Sequence, residues 1–218
     1  MADTASTVEA LRWASLATGG LSIAGFEFLQ RHRQTARQRH ITMRERWLES
    51  IHARPGQEII AVQTIRNSLM AATIVASTTV IALMGTISLM GPVAVHLALK
   101  VAATPGESAV HPIQLAIGGL LVATLFTSFL FATQSARFYN HLGYLAGFGP
   151  LARDEDRLQG LRYVALAGRY YSDSLRTLIY LAPLLAGMLE PLAIMPGALV
   201  VILTLRWFDR SSPSDHKD

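Results

Sequence analysis

"SLMAATIVASTTVIALMGTISL", Ser68 to Leu89, holds no charged residue, and the uncharged stretch around it runs on to Leu99. A second stretch, Ser108 to Ala136, is likewise free of Asp, Glu, Lys and Arg. A hydrocarbon core about 30 Å thick is crossed by about 20 apolar residues in helical form. Both stretches meet that length and read as membrane spans, over about 68–90 and 112–134. Composition points the same way. Of 218 residues, 51% are hydrophobic and only 16% charged, which is too apolar for an ordinary soluble domain.

Outward from these two, "LRWASLATGGLSIAGFEFLQ" (Leu11 to Gln30) is apolar apart from Arg12 and Glu27. A cleavable signal starts basic and ends on small residues. This segment has Asp3 and Glu9 before it and Arg31, His32 and Arg33 after it. It reads as a retained span, about 11–30, with the N-terminus outside. The last apolar block, Leu178 to Leu205, is interrupted by "LEPLAIMPG", which carries Glu190, Pro191, Pro196 and Gly197. Proline inside a helix removes a donor and clashes with the preceding turn, and a charge at mid-bilayer is costly. A hairpin with Glu190 at its tip and arms at about 172–189 and 192–207 resolves both conflicts.

Basic residues decide between span counts, because cytoplasmic loops are enriched in Lys and Arg. With five spans, 17 of the 19 basic residues lie inside, and only Arg12 and Lys100 lie outside. With four spans, the last one broken and tilted, the division is 14 against 5. Five spans are therefore favoured. The expected fold is all-α: one membrane domain over 1–218, a polytopic integral helix bundle with amphipathic interfacial helices. Those helices are read over about 41–54 and 157–171. In the first, Met43, Trp47, Leu48 and Ile51 recur at helical spacing against Arg44, Glu45, Arg46 and Glu49. Such a helix either lies on the inner leaflet or packs on its own protein. The expected place is the bacterial inner membrane, with basic loops in the cytoplasm.

Cysteine is absent, which excludes disulfides, thiolate metal sites and thiol nucleophiles. His96, Glu107 and His111 have no spacing that converges on a metal. Metal and cofactor are both expected to be none. The pI near 9.8 follows from arginines flanking spans, so nucleic acid is not expected as a partner.

At the cytoplasmic ends of the two long spans a polar pattern repeats. Gln63, Arg66 and Asn67 precede one; Gln134 and Arg137, then Tyr139, Asn140 and His141, close the other. Residues three apart share a helix face. If the spans are neighbours, Gln63, Arg66, Gln134 and Arg137 face one another at one rim. Singly, each arginine is explained by snorkelling to headgroups. Together they call for an anion, a lipid phosphate, or one of Asp154, Glu155, Asp156 and Asp173. Gln63, Arg66, Asn67, Gln134, Arg137, Tyr139 and Asn140 are the candidate anion- or lipid-binding residues. Within the first long span, Thr73, Ser77, Thr78 and Thr79 suit close helix packing or a narrow wet path.

"VQTIRNSLMAATIVASTT", "QSARFYNHLGYLAG" and "YVALAGRYYSDSLRTLIYLAPLL" resemble the signature blocks of the membrane protein family catalogued as domain of unknown function 599, found in bacteria and plants. The resemblance covers about 47–209, and "VQTIRNS" is its most specific part. It implies an integral membrane protein of several helices and supplies no activity, substrate or cofactor. Gln63, Arg66, Asn67, Ser68, Gln134, Arg137 and Tyr139 match the family pattern, and "EPLAIMPG" stands where the family commonly has a Gly-Pro interruption.

Two non-enzymatic readings stand nearly level: an oligomeric channel or carrier for a small anion or solute, and an accessory or scaffold subunit binding anionic lipid at its cytoplasmic rim. The partners expected are membrane lipids and either further copies or a larger membrane complex. An enzyme is the weakest class, since no carboxylate pair, metal cluster or nucleophile with a base can be located.

Overall fold

The computed structural model describes residues 2–32, 35–103 and 112–210. These form seven α-helices, and no strand forms among the described residues. The helices are α1 Ala2–His32, α2 Thr35–His52, α3 Glu58–Ala103, α4 Pro112–Gly147, α5 Asp154–Ile179, α6 Leu181–Leu189 and α7 Ile194–Arg210. Two of them, α3 over Glu58–Pro92 and α4, are long and apolar enough to cross a membrane. The 31 residues of α1 are sufficient in length. Its run of Thr, Ser, Gly and Gln, with Arg12 and Glu27, leaves it less apolar than α3 and α4.

The exposure of α3 and α4 is unlike that of buried core helices. Only 22% of the most apolar stretch of α3, and 33% of that of α4, is buried within the chain. Met70, Ile74, Ile81, Met84 and Leu89 all point outward from α3. Soluble proteins seldom leave so much contiguous apolar surface to water.

The chain divides into two compact units, and α3 and α4 contribute to both. One unit holds residues 35–81 and 126–177. Its core takes Leu48 and Ile51 from α2, Ala61, Ile65 and Ala72 from α3, Tyr139, Leu142 and Ala146 from α4, and Val164 and Ala167 from α5. The apolar side of α2 therefore packs on its own protein. Small residues set the α4–α5 contact. Ser128 Oγ donates to the Ser174 carbonyl at 3.1 Å and Ser174 Oγ donates to the Ser128 carbonyl at 3.0 Å. One heptad along, Ser135 Oγ donates to the Ala167 carbonyl at 2.8 Å. Leu142 then reaches Gly160, where an added Cβ would lie 3.9 Å from Leu142 Cδ1. These pairs describe two antiparallel helices in one continuous register. Phe138 stacks on Tyr170 along the flank, with ring centroids 5.7 Å apart.

The other unit holds the described residues among 1–34, 82–125 and 178–218. Ile113, Ile117 and Leu121 of α4 pack there with Ile194, and Leu16, Leu181, Leu184 and Met188 cover them. The helix break expected around Glu190 is present: Glu190 is extended (φ −145°, ψ 114°), and Pro191–Ala193 makes one 3₁₀ turn before α7. α6 and α7 pack against each other about that break. The arm expected over 172–189 is not one helix. It is divided at Tyr180, because Pro183 lacks the N–H that would bond to Ile179, and its ring presses on that turn. Three residues of α1 tie it to this region by four polar contacts. Arg12 Nε lies 3.4 Å from Glu190 Oε1. Ser15 Oγ donates to the Leu192 carbonyl and accepts from the Met195 N–H, one of the open donors at the start of α7. The Tyr180 hydroxyl donates to the Glu27 carboxylate.

Candidate functional site

Where α3 enters its apolar stretch it lies antiparallel to the last third of α4. An added Cβ at Gly143 would stand 3.9 Å from Ile65 Cγ2, and the Ser68 side chain hydrogen-bonds Tyr139. A cavity of about 380 Å³ opens between the helices. α3 lines it with Val62, Ile65, Arg66 and Leu69; α4 lines it with Tyr139, Asn140, Gly143 and Tyr144. The spacings of three and four on each helix put these residues on facing sides. Gly143 keeps the space open by having no side chain.

Arg66 and Asn140 are exposed, and neither makes a hydrogen bond or ion pair among the described residues. A free guanidinium offers five donors in a planar fork suited to phosphate or carboxylate oxygens. Tyr139, at 6% exposure, forms the floor. Its phenol gathers groups from the other helices of the unit: Ser68 of α3 by hydrogen bond, with Arg44 of α2 and Tyr171 of α5 close enough to act on it by charge. Arg44 comes that close because its guanidinium rests where Gly168 of α5 has no side chain. The cavity thus combines an unpaired cation, an amide and two phenols with the apolar walls of Val62, Ile65 and Leu69.

Of the seven residues singled out from sequence, the structure brings Arg66, Tyr139 and Asn140 to one cavity. Gln63, Asn67, Gln134 and Arg137 are exposed and are not among its lining residues. For Gln134 and Arg137 the reason is an offset. Ser68 opposite Tyr139 and Ile65 opposite Gly143 put Arg66 level with residues 141–142, whereas Arg137 is level with residues 70–71. At 1.5 Å per residue the two arginines stand about 7 Å apart along the helix axes. Gly143, Tyr144 and Arg44 escaped the sequence reading. The first two carried a signal, lying four residues beyond Tyr139 and Asn140 and so on the same face. Nor do the acidic residues after α4 neutralise Arg66. Asp154, Glu155 and Asp156 occupy the first turn of α5, where they complement the helix dipole, and Asp156 Oδ2 accepts from the Arg153 N–H at 3.2 Å.

No group of three His, Cys, Asp or Glu side chains among the described residues is placed to hold a metal. The side chains of His96, Glu107 and His111 lie outside the described residues.

A family model described as "Protein of unknown function, DUF599" matches residues 15–214, most of the chain. The chain belongs to this family. The DUF599 match begins at Ser15, inside α1 and ahead of the signature blocks, and it takes in both sides of the cavity. No curated protein and no solved structure matches the chain.

Proposed function

We propose that this DUF599 protein is a non-enzymatic integral membrane protein that serves as an accessory or scaffold subunit and holds an anionic lipid headgroup at its cytoplasmic rim. The observation that carries this reading is the unpaired Arg66, set in a partly apolar cavity where α3 becomes an exposed apolar helix. An amphiphile with a phosphodiester suits that lining: the fork of Arg66 and the Asn140 amide meet the phosphate, and Val62 and Leu69 meet the start of an acyl chain.

In this reading the protein crosses the bacterial inner membrane five times, with the N-terminus outside. The supports are the placement of basic residues and the pairing of Arg12 with Glu190 at what would be the outer ends of α1 and the α6–α7 pair. To test the site, full-length protein is melted in detergent with phosphatidylglycerol or with phosphatidylcholine. Phosphatidylglycerol should raise Tm more, Arg66→Gln should remove that difference, and Arg137→Gln should largely keep it. Equal stabilisation of wild type and Arg66→Gln would sink the assignment.

A second reading, an oligomeric channel or carrier, is favoured by one observation. Ser77 and Thr78 are exposed on α3 among its outward apolar residues, and polar groups left facing lipid are costly. Ion flux in liposomes that falls on Ser77→Leu would favour it; absence of flux favours the scaffold.

A further inference from the structure

His52 ends α2 and is only 5% exposed. Its ring donates to the Leu145 carbonyl of α4, and its Nε2 is buried with no partner. Arg157 of α5 lies beside it. There Nη2 donates to the Pro150 carbonyl at 3.4 Å, while Nε is buried without a partner. His52 thus sits where the end of α2 meets α4, α5 and the Gly149–Leu151 turn. Beyond it the chain reverses through Gly56, whose φ of 87° is a conformation that suits glycine.

The charged and titratable groups on the surrounding elements are Glu49 and Arg54 near His52 itself, Glu58 at the start of α3, His141 and Tyr144 on α4, and Arg153 through Arg157 at the start of α5. Among them it is the charge of Arg157 that acts on the ring, and no carboxylate offsets it. A proton on His52 would therefore create a desolvated cation facing another cation.

We propose that His52 is a proton-operated latch: the neutral ring pins the end of α2 to α4 and α5, and the imidazolium releases it, uncovering Trp47 from the core it partly covers. Burial first, and Arg157 second, hold the pKa of the docked ring below the ordinary histidine range. The released ring regains an ordinary pKa of about 6.5. The released state then binds more protons than the docked one, so release grows as pH falls through that range. It gains up to about tenfold per pH unit and levels off below the docked-state pKa. Nothing in this depends on the lipid site or on the number of spans.

The test uses the full chain in lipid nanodiscs with Trp13→Phe and Trp207→Phe, leaving Trp47 as the reporter. Acrylamide quenching of Trp47 should rise at least threefold between pH 8 and pH 5. His52→Asn, which can still donate to Leu145 but takes no proton, should hold quenching constant. Arg157→Gln, which relieves the repulsion, should make the rise smaller. Flat quenching in the parent, or an undiminished rise in His52→Asn, overturns the latch. If His52→Asn does not fold, an undiminished rise in Arg157→Gln overturns it instead.

Discussion

Ile194 shows how single positions hold this protein together. Its side chain fits because Gly19 and Gly187 have none: a Cβ added at Gly19 would come 2.9 Å from Ile194 Cγ2, and one at Gly187 would collide with Ile194 Cγ1. A larger residue forces repacking in a region with no slack, a cost of about 1–3 kcal/mol. Gly187→Val should therefore lower Tm clearly in a thermal melt, and the double variant Gly187→Val, Ile194→Ala should recover part of the loss. Gly143 makes the opposite case, since a Cβ there meets only Ile65 at 3.9 Å. Gly143→Ala should be neutral or stabilising by up to about 1 kcal/mol through helix propensity. Gly143→Phe should fill the cavity and remove stabilisation by phosphatidylglycerol while leaving the melt without lipid nearly unchanged. The Arg12–Glu190 pair is half-exposed at the carboxylate, and pairs of that kind contribute about 1 kcal/mol or less.

Among the elements, α4 and α5 are matched by a seven-residue repeat: Ser128, Ser135 and Leu142 on one, facing Ser174, Ala167 and Gly160 on the other. Apart from Leu142 the residues that meet are small, so the backbones approach closely and hydroxyls reach carbonyls across the gap. Interhelical hydrogen bonds of this sort contribute about 0.6 kcal/mol on average and about 1.7 at most in membrane proteins. A double-mutant cycle of Ser128→Ala and Ser174→Ala, read by chemical denaturation, should give a coupling energy in that range. The heptad spacing is present in the sequence, as are the hydroxyls of Thr73, Ser77, Thr78 and Thr79 that suggest close packing in α3. Thr73 and Thr79 instead bond their hydroxyls to carbonyls four residues back in α3, as such residues do in a helix interior. The two long apolar helices were legible because absence of charge over a bilayer's thickness is a coarse, one-dimensional signal. So was the break at Glu190, where proline and charge coincide. The split at Tyr180 needed Pro183 to be weighed as a helix breaker inside an apolar run. The rim was half legible: spacing along each helix put Arg66, Tyr139 and Asn140 on usable faces. The offset between helices, which separates Arg137 from the cavity, exists only in three dimensions.

At the level of the whole molecule, the absence of cysteine makes the proposed five-span topology directly measurable. Leu189 and Glu155 are both exposed, and the topology puts them on opposite sides of the membrane. In intact spheroplasts, a membrane-impermeant maleimide should label Leu189→Cys, and should label Glu155→Cys only after permeabilisation; the reverse pattern, or labelling of both, would reject it. The ties between α1 and the far end of the chain also bear on biogenesis. Glu27 waits 153 residues for Tyr180, and Ser15 waits 177 for Leu192. At roughly 5–20 residues per second, a ribosome needs about 8–30 s to supply the first of these mates. For that interval α1 lacks the residues from the far end of the chain that hold it in the finished fold, and a message cut short before codon 180 would leave it without those ties.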